Sequence, residues 1–129
     1  MLDRRQQEIE LMRKKYGPLE QGPNLEWVLF KEFTLPKGWN SATTSLLILI
    51  PPGYPVTPPD NFYVSPGLRL ESGAMPSNYS EGPTHLGQQW GQFSIHAQKE
   101  CWAPKADFLE GDNLLTFMLI VERRLKETN

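Results

Sequence analysis

Residues 51–59 read Pro-Pro-Gly-Tyr-Pro-Val-Thr-Pro-Pro and follow a stretch that is rich in apolar residues. Five of these nine residues are proline, which lacks a backbone N–H and restricts the residue before it to extended geometry. The segment therefore cannot be helix or regular strand. It is predicted to be a rigid, extended connector between two parts of one fold.

Two strands are predicted before the connector. Alternating apolar residues over 27–35 are typical of a half-buried strand, and a Pro-Lys-Gly turn follows it. The next strand, residues 43–50, ends in five consecutive apolar residues. This pattern predicts a central strand that is covered on both of its faces.

A helix is predicted near each end of the chain. Asp3 caps a first helix that runs to about Tyr16, and its charged faces place it on the surface. The second helix runs from residue 114 to about 126, after a cap at Asp112 or Asn113, and carries a broad apolar stripe.

The stretch between the connector and the last helix is the least regular. A short strand is predicted over 62–64, and a brief extended piece over 90–95. Residues 65–92 are rich in Gly, Pro, Ser, Asn and Gln and are predicted to form a long loop, of the kind that is usually functional. The whole order predicts a single α+β domain over residues 1–129.

Composition excludes several classes of protein. Lys and Arg number 13 against 15 Asp and Glu, for a formal net charge of −2, so a nucleic-acid partner is not expected. The longest apolar run is too short to span a membrane and the first residues are charged, so we expect a cytoplasmic protein without a membrane partner. The single cysteine, Cys101, excludes an internal disulfide and a cysteine-rich metal cage.

Two motifs resemble the ubiquitin-conjugating (UBC) superfamily. The stretch 54–59 resembles its Tyr-Pro-x-x-Pro-Pro signature, and 102–104 resembles the Trp-x-Pro that precedes its later helices. Over residues 3–126 the pattern is similar to a divergent prokaryotic UBC-like family of bacterial ubiquitin-like conjugation operons, which implies a role in bacterial defence. The fold-signature residues are Tyr54, Pro55, Pro58, Pro59, Trp102 and Pro104.

The resemblance implies a UBC-like fold with an active site in the long loop. It also implies a conjugating enzyme, an acyl transferase that accepts the C-terminus of a ubiquitin-like protein from an ATP-dependent activating enzyme. The acyl group then passes to an amine, usually a lysine, with no metal or cofactor. The alternative is a catalytically inactive UBC-like or RWD-like binding module that docks the activating enzyme or the ubiquitin-like protein. A self-contained hydrolase is disfavoured because no Gly-x-Ser-x-Gly motif is present.

Two residues are candidates to carry the acyl group, as an oxyester or a thioester. Cys101 is the only thiol and the best nucleophile in the chain, but it directly precedes Trp102. The nucleophile of the resembled family lies about eight residues before this tryptophan, where this chain has Ser94. Ser94 is therefore the first candidate and Cys101 the second.

Three further residues are candidates for supporting roles. His85 lies near the place of the family's His-Pro-Asn histidine, although the Pro and the Asn are missing. His96 follows Ser94 by two residues, which places both on one side of an extended segment, so either histidine is a candidate base. Asn78 is a candidate amide donor to the oxyanion.

Arginines on the first helix are candidates for partner binding. The resemblance implies that this helix docks an acidic domain of the activating enzyme, and a solvated charged face is the other interpretation. The candidate partner-binding residues are Arg4, Arg5 and Arg13.

Overall fold

The structure is a computed structural model that describes residues 3–96 and 101–129. None of the helices in these ranges is long and apolar enough to cross a bilayer. In chain order the elements are α1 (Arg4–Tyr16), β1 (Glu20–Gln21), β2 (Trp27–Thr34), β3 (Thr43–Leu49), β4 (Asp60–Val64), β5 (Tyr79–His85), β6 (Gln88–His96), a 3-10 turn (Phe108–Glu110) and α2 (Leu114–Lys126).

The strands form one antiparallel sheet in the order β1-β2-β3-β4-β6-β5. The α+β prediction is therefore confirmed, with a helix before and a helix after the sheet. β3 lies inside the sheet, and Leu46, Leu47 and Ile48 are all fully buried. This confirms that the apolar end of β3 is covered on both faces.

Both helices pack on one face of the sheet, here called the inner face. Ile9 and Met12 of α1 and Phe117 of α2 are fully buried in the same cluster as Phe62 and Phe93 of the sheet. The sequence offered Asp112 and Asn113 as candidates for the N-terminal cap of α2. Asn113 is the cap, because its side chain accepts a hydrogen bond from the Thr116 N–H and the Thr116 hydroxyl accepts one from the Asn113 N–H.

The opposite, outer face of the sheet carries a second cluster. Leu47 of β3, Tyr63 of β4 and Trp90 of β6 are buried together, and neither α1 nor α2 contributes a residue to this cluster. Side chains alternate between the faces of a strand, so these three residues point away from their neighbours in the inner cluster. Trp90 is the member of this cluster that comes from the β5–β6 hairpin.

The prediction of a long loop over residues 65–92 is wrong in part. Residues 65–78 are irregular, but 79–96 form the antiparallel β5–β6 hairpin, which turns through Leu86 and Gly87, both at positive φ. β5 is an edge strand with mostly exposed residues, and the pairing irregularity between Glu81 and Thr84 interrupts it. Its strand geometry therefore comes from pairing with β6 and not from an apolar alternation of its own.

Candidate active site

The connector and the Trp-x-Pro motif meet in space. The indole N–H of Trp102 donates to the Pro55 carbonyl at 2.8 Å, and the Tyr54 and Trp102 rings lie 6.5 Å apart between centroids. The Tyr54 hydroxyl is buried and donates to the Glu8 carboxylate, and this burial raises the pKa of Tyr54 well above its ordinary value. Two sequence motifs that are far apart in the chain therefore form one contact.

Cys101 is exposed and directly precedes this fixed tryptophan. A loop follows, here called loop 103–112, whose ends are joined by two hydrogen bonds. The Ala103 N–H donates to the Asp112 carboxylate at 2.7 Å, and the Asp112 N–H donates to the Ala103 carbonyl at 3.1 Å. Cys101 thus precedes a segment whose regular structure is the 3-10 turn Phe108–Glu110 and whose two ends are held together by specific hydrogen bonds.

The sequence did not reveal Glu8, a buried carboxylate at the base of this region. Its side chain is fully buried and accepts hydrogen bonds from Arg4 Nε at 2.6 Å, from the Leu114 N–H at 2.7 Å and from Tyr54. It joins α1, the connector and the start of α2. The signal that could have found it is its position four residues before Met12, on the buried face of α1.

The three arginines predicted to bind a partner all have partners within the chain. Arg4 is the most enclosed, with 21% of its side chain exposed, against 30% for Arg5 and 34% for Arg13. Arg5 pairs with Asp3, and Arg13 pairs with Glu10. Arg5 and Arg13 are therefore the more accessible cations of this set.

Ser94 lies on β6 with an exposed side chain. Its N–H donates to the Asn78 carbonyl at 2.8 Å, and its hydroxyl accepts from Gln92 Nε2 at 3.2 Å. Asn78 is exposed as well and has a left-handed backbone, with φ of 56°. The structure thus brings these two candidates together through their backbones.

A buried arginine that sequence reasoning missed supports the Ser94 region. Arg124 of α2 donates to the Ser77 carbonyl at 2.7 Å, and its guanidinium lies 4.7 Å from the centre of the Phe93 ring. Burial lowers the pKa of Arg124 from its ordinary value. Ser77 and Phe93 directly precede Asn78 and Ser94, so this one side chain contacts the neighbours of both candidates.

The two candidate bases lie at opposite ends of the β5–β6 hairpin strands, His85 at the end of β5 and His96 at the end of β6. The His85 ring contacts the Tyr63 ring at 4.5 Å, and its carbonyl accepts from the Trp90 indole at 2.9 Å. These described contacts of His85 do not include Ser94. His96 ends β6, where its backbone pairs with Asp60, and its side chain lies outside what the structure describes. The predicted pairing of Ser94 with His96 stays a prediction.

His85 instead lines a surface groove of about 520 Å³. The groove is lined by prolines from both ends of the connector and by Trp27, Leu49, Asp60 and the hairpin residue Leu86. Neither Ser94 nor Cys101 lines this groove.

The two candidate nucleophiles offer different chemistry. A thiol is partly ionised near neutral pH and reacts as the thiolate, so exposure is its main requirement. A serine hydroxyl needs a base within hydrogen-bond reach, and among the described side chains the partner of the Ser94 hydroxyl is the Gln92 amide.

One comparison with known proteins identifies the family. The family model described as prokaryotic E2 family E matches residues 2–128, which is nearly the whole chain. Neither the curated proteins nor the solved structures gave a match. The helix–sheet–helix architecture is compatible with a UBC-like fold. The chain therefore belongs to prokaryotic E2 family E, whose members resemble carriers of ubiquitin-like conjugation.

Proposed function

We propose that this protein carries the C-terminus of a ubiquitin-like protein as a thioester on Cys101 and transfers it to an amine. The observation that supports this most directly is the exposed Cys101 next to Trp102, whose indole is bonded to the Pro55 carbonyl. A fixed neighbour limits the positions that the sulfur can take, and exposure lets a protein-sized partner reach it.

The reaction has two acyl transfers. The Cys101 thiolate attacks the activated C-terminal carbonyl, an S–C bond forms, and the leaving group stays with the activating enzyme. An acceptor amine then attacks the same carbonyl, a C–N bond forms, and the Cys101 thiolate departs while the amine loses a proton to solvent. Neither transfer requires a metal or cofactor on this chain.

Cys101 is preferred over Ser94 on chemical grounds. The thiolate needs no neighbouring base, whereas Ser94 does, and the contacts of His85 lie with Tyr63 and Trp90. A thioester is also more reactive toward amines than an oxyester. Ser94, the first candidate from the sequence, becomes the second candidate in this proposal; its exposure and its distance in sequence from Trp102 support it.

Intact mass spectrometry tests the carrier. The protein is incubated with ATP, the ubiquitin-like protein and the activating enzyme, and wild type is compared with Cys101→Ala, Cys101→Ser and the matched control Ser94→Ala. We expect a thiol-labile adduct in wild type and Ser94→Ala, none in Cys101→Ala, and a thiol-resistant oxyester in Cys101→Ser.

Other results would replace the proposal. A thiol-resistant adduct that is lost only in Ser94→Ala would assign the acyl group to the serine. Binding of the ubiquitin-like protein or the activating enzyme without any adduct would make the protein an inactive docking module.

The same proposal includes docking of the activating enzyme on α1 through Arg5 and Arg13, the more accessible candidate arginines. The double variant Arg5→Glu with Arg13→Glu should weaken co-purification with that enzyme by about tenfold, because two attractive charges become repulsive. Lys37→Glu with Lys126→Glu, at two exposed lysines that are not on α1, makes the same charge change and is the control. Equal association of both double variants would remove α1 as the docking surface.

A further inference from the structure

Loop 103–112 is held by α1 as well as by its own ends. Arg4 Nη1 donates to the Lys105 carbonyl at 2.5 Å, and Arg4 Nη2 donates to the Asp112 carbonyl at 3.1 Å. The guanidinium also lies 6.0 Å from the centre of the Phe108 ring. One side chain on the first turn of α1 therefore contacts three positions along the segment that follows Cys101.

Arg4 is itself fixed. Its Nε donates to the buried carboxylate of Glu8 at 2.6 Å, so the guanidinium is held on one edge and uses its other nitrogens on the loop. A planar guanidinium can bond two carbonyls and a carboxylate at once, which an ammonium group cannot do in the same geometry. The contact is specific to arginine.

The loop leaves little room for an alternative path. A Cβ placed on Gly111 would lie 2.7 Å from both the Ala103 carbonyl oxygen and the Lys105 nitrogen. The two sides of the loop are thus in close backbone contact at the point that Arg4 spans. A loop packed in this way moves as a unit when its support moves.

We propose that Arg4 is a positioning residue for Cys101: through the Lys105 and Asp112 carbonyls it fixes loop 103–112, which follows the acyl-bearing thiol by two residues. The inference rests on the proposed function of Cys101. The first turn of α1, which sequence reasoning assigned to partner docking, then also sets the geometry of the reacting group. Arg4 does not touch the acyl group, and acts through the loop.

The test uses two readouts, one of which does not depend on conjugation. Cys101 is the single cysteine, so a trifluoromethyl thiol tag labels it selectively, and fluorine NMR reports how many positions it samples. The second readout is the rate of adduct formation on the unlabelled protein at saturating activating enzyme. Arg4→Lys keeps a cation for Glu8, and Arg123→Lys, the same change at an exposed arginine of α2, is the matched control.

We expect Arg4→Lys to change the single fluorine resonance of wild type into a broadened or split signal. We also expect about a tenfold lower maximal rate of adduct formation, with little change in the half-saturating concentration of activating enzyme. Arg123→Lys should match wild type in the fluorine signal and in the maximal rate. Because Arg4→Lys preserves the charge, the global unfolding midpoint should move little.

Each other outcome overturns a defined part. An unchanged fluorine signal in Arg4→Lys would show that Arg4 does not order Cys101. A changed signal with an unchanged maximal rate would make Arg4 a structural residue without effect on the reaction. If wild type forms no adduct at all, the proposed function fails, and the fluorine signal alone decides whether Arg4 orders Cys101.

Discussion

Ser94 and Cys101 lie in regions that are held in different ways. β6, which carries Ser94, pairs with β4 on one side and β5 on the other, so backbone hydrogen bonds fix it. The segment after Cys101 is held by side-chain contacts, through its own Trp102 indole and Asp112 carboxylate and through Arg4 of α1. A backbone ladder tolerates side-chain changes, whereas the second arrangement depends on a few residues. Single substitutions should therefore affect the Cys101 region more than the Ser94 region.

The largest effect is expected from Glu8→Ala. It leaves Arg4 without its buried partner and removes the acceptor of the Tyr54 hydroxyl and the Leu114 N–H. Breaking a buried ion pair from one side costs about 3–5 kcal/mol. Urea unfolding of the variant should show a loss of this size.

Glu10 provides the control for Glu8 on the same helix. Its carboxylate is half exposed and pairs with Arg13 on the surface, so Glu10→Ala should cost less than about 1 kcal/mol. Equal losses for the two variants would mean that the buried contacts of Glu8 do not hold the Cys101 side of the molecule.

Two tryptophans allow the same change on each side of the comparison. Trp102→Phe removes the N–H that bonds the Pro55 carbonyl at 2.8 Å, and Trp90→Phe removes the one that bonds the His85 carbonyl at 2.9 Å. Each should cost about 1–2 kcal/mol in urea unfolding. Only Trp102→Phe should speed amide exchange at Ala103, by about tenfold, because the ladder of β6 does not depend on Trp90. Faster exchange in both variants would contradict the separation of the two regions.

A pH effect is expected from Glu81, a side-chain contact on the hairpin side. Its carboxylate accepts from the Gly67 N–H, Arg69 and the Tyr79 hydroxyl, and Arg69 contributes most to lowering the pKa of Glu81 from 4.5 to about 2. A pKa that is lower in the folded state adds stability above pH 4.5, and this contribution disappears as the pH falls through about 2.

Glu81→Gln should therefore reduce stability by about 1 kcal/mol at neutral pH, since the carboxylate is partly exposed to solvent. The difference from wild type should vanish near pH 2 in thermal unfolding. A difference that persists at that pH would assign the effect to packing instead of charge.

The smallest effect is expected from Ser94→Ala. The hydroxyl is exposed, and its described partner is the Gln92 amide, so stability should change by less than about 0.5 kcal/mol. Calorimetry of this variant beside Cys101→Ala checks the control used in the adduct experiment. A large loss for Ser94→Ala would give its hydroxyl a structural role in β6.

Local patterns predicted much of the fold. The helix after Asp3 ends at Tyr16, and the last helix spans Leu114–Lys126 as the apolar stripe indicated. The apolar end of β3 predicted a strand covered on both faces. In each case the signal and the structure lie in the same short stretch of sequence.

The rest depends on contacts between distant residues. β5 contains Gly82 and Pro83 and has few buried residues, so its sequence by itself indicates a loop. Its strand geometry comes from the backbone pairing with β6. The position of Glu8 on one face of α1 could have indicated its burial, but its contacts with Tyr54 and Leu114 involve residues that are distant in the sequence. Arg4 likewise reads as a solvated cation because its carbonyl partners follow about a hundred residues later.

The cover on the outer face of the sheet has a consequence for refolding. The outer cluster joins Leu47 of a central strand to Trp90 of the hairpin at the far side of the sheet, with long sequence separation between them. Such contacts form late, because the chain loses loop entropy before it gains burial. Until the β5–β6 hairpin pairs with β4, the apolar outer face of the central strands is exposed to other chains. Aggregation competes with folding during this interval. Because the chain has four tryptophans, the difference in refolding fluorescence between wild type and Trp90→Phe would record when that interval ends.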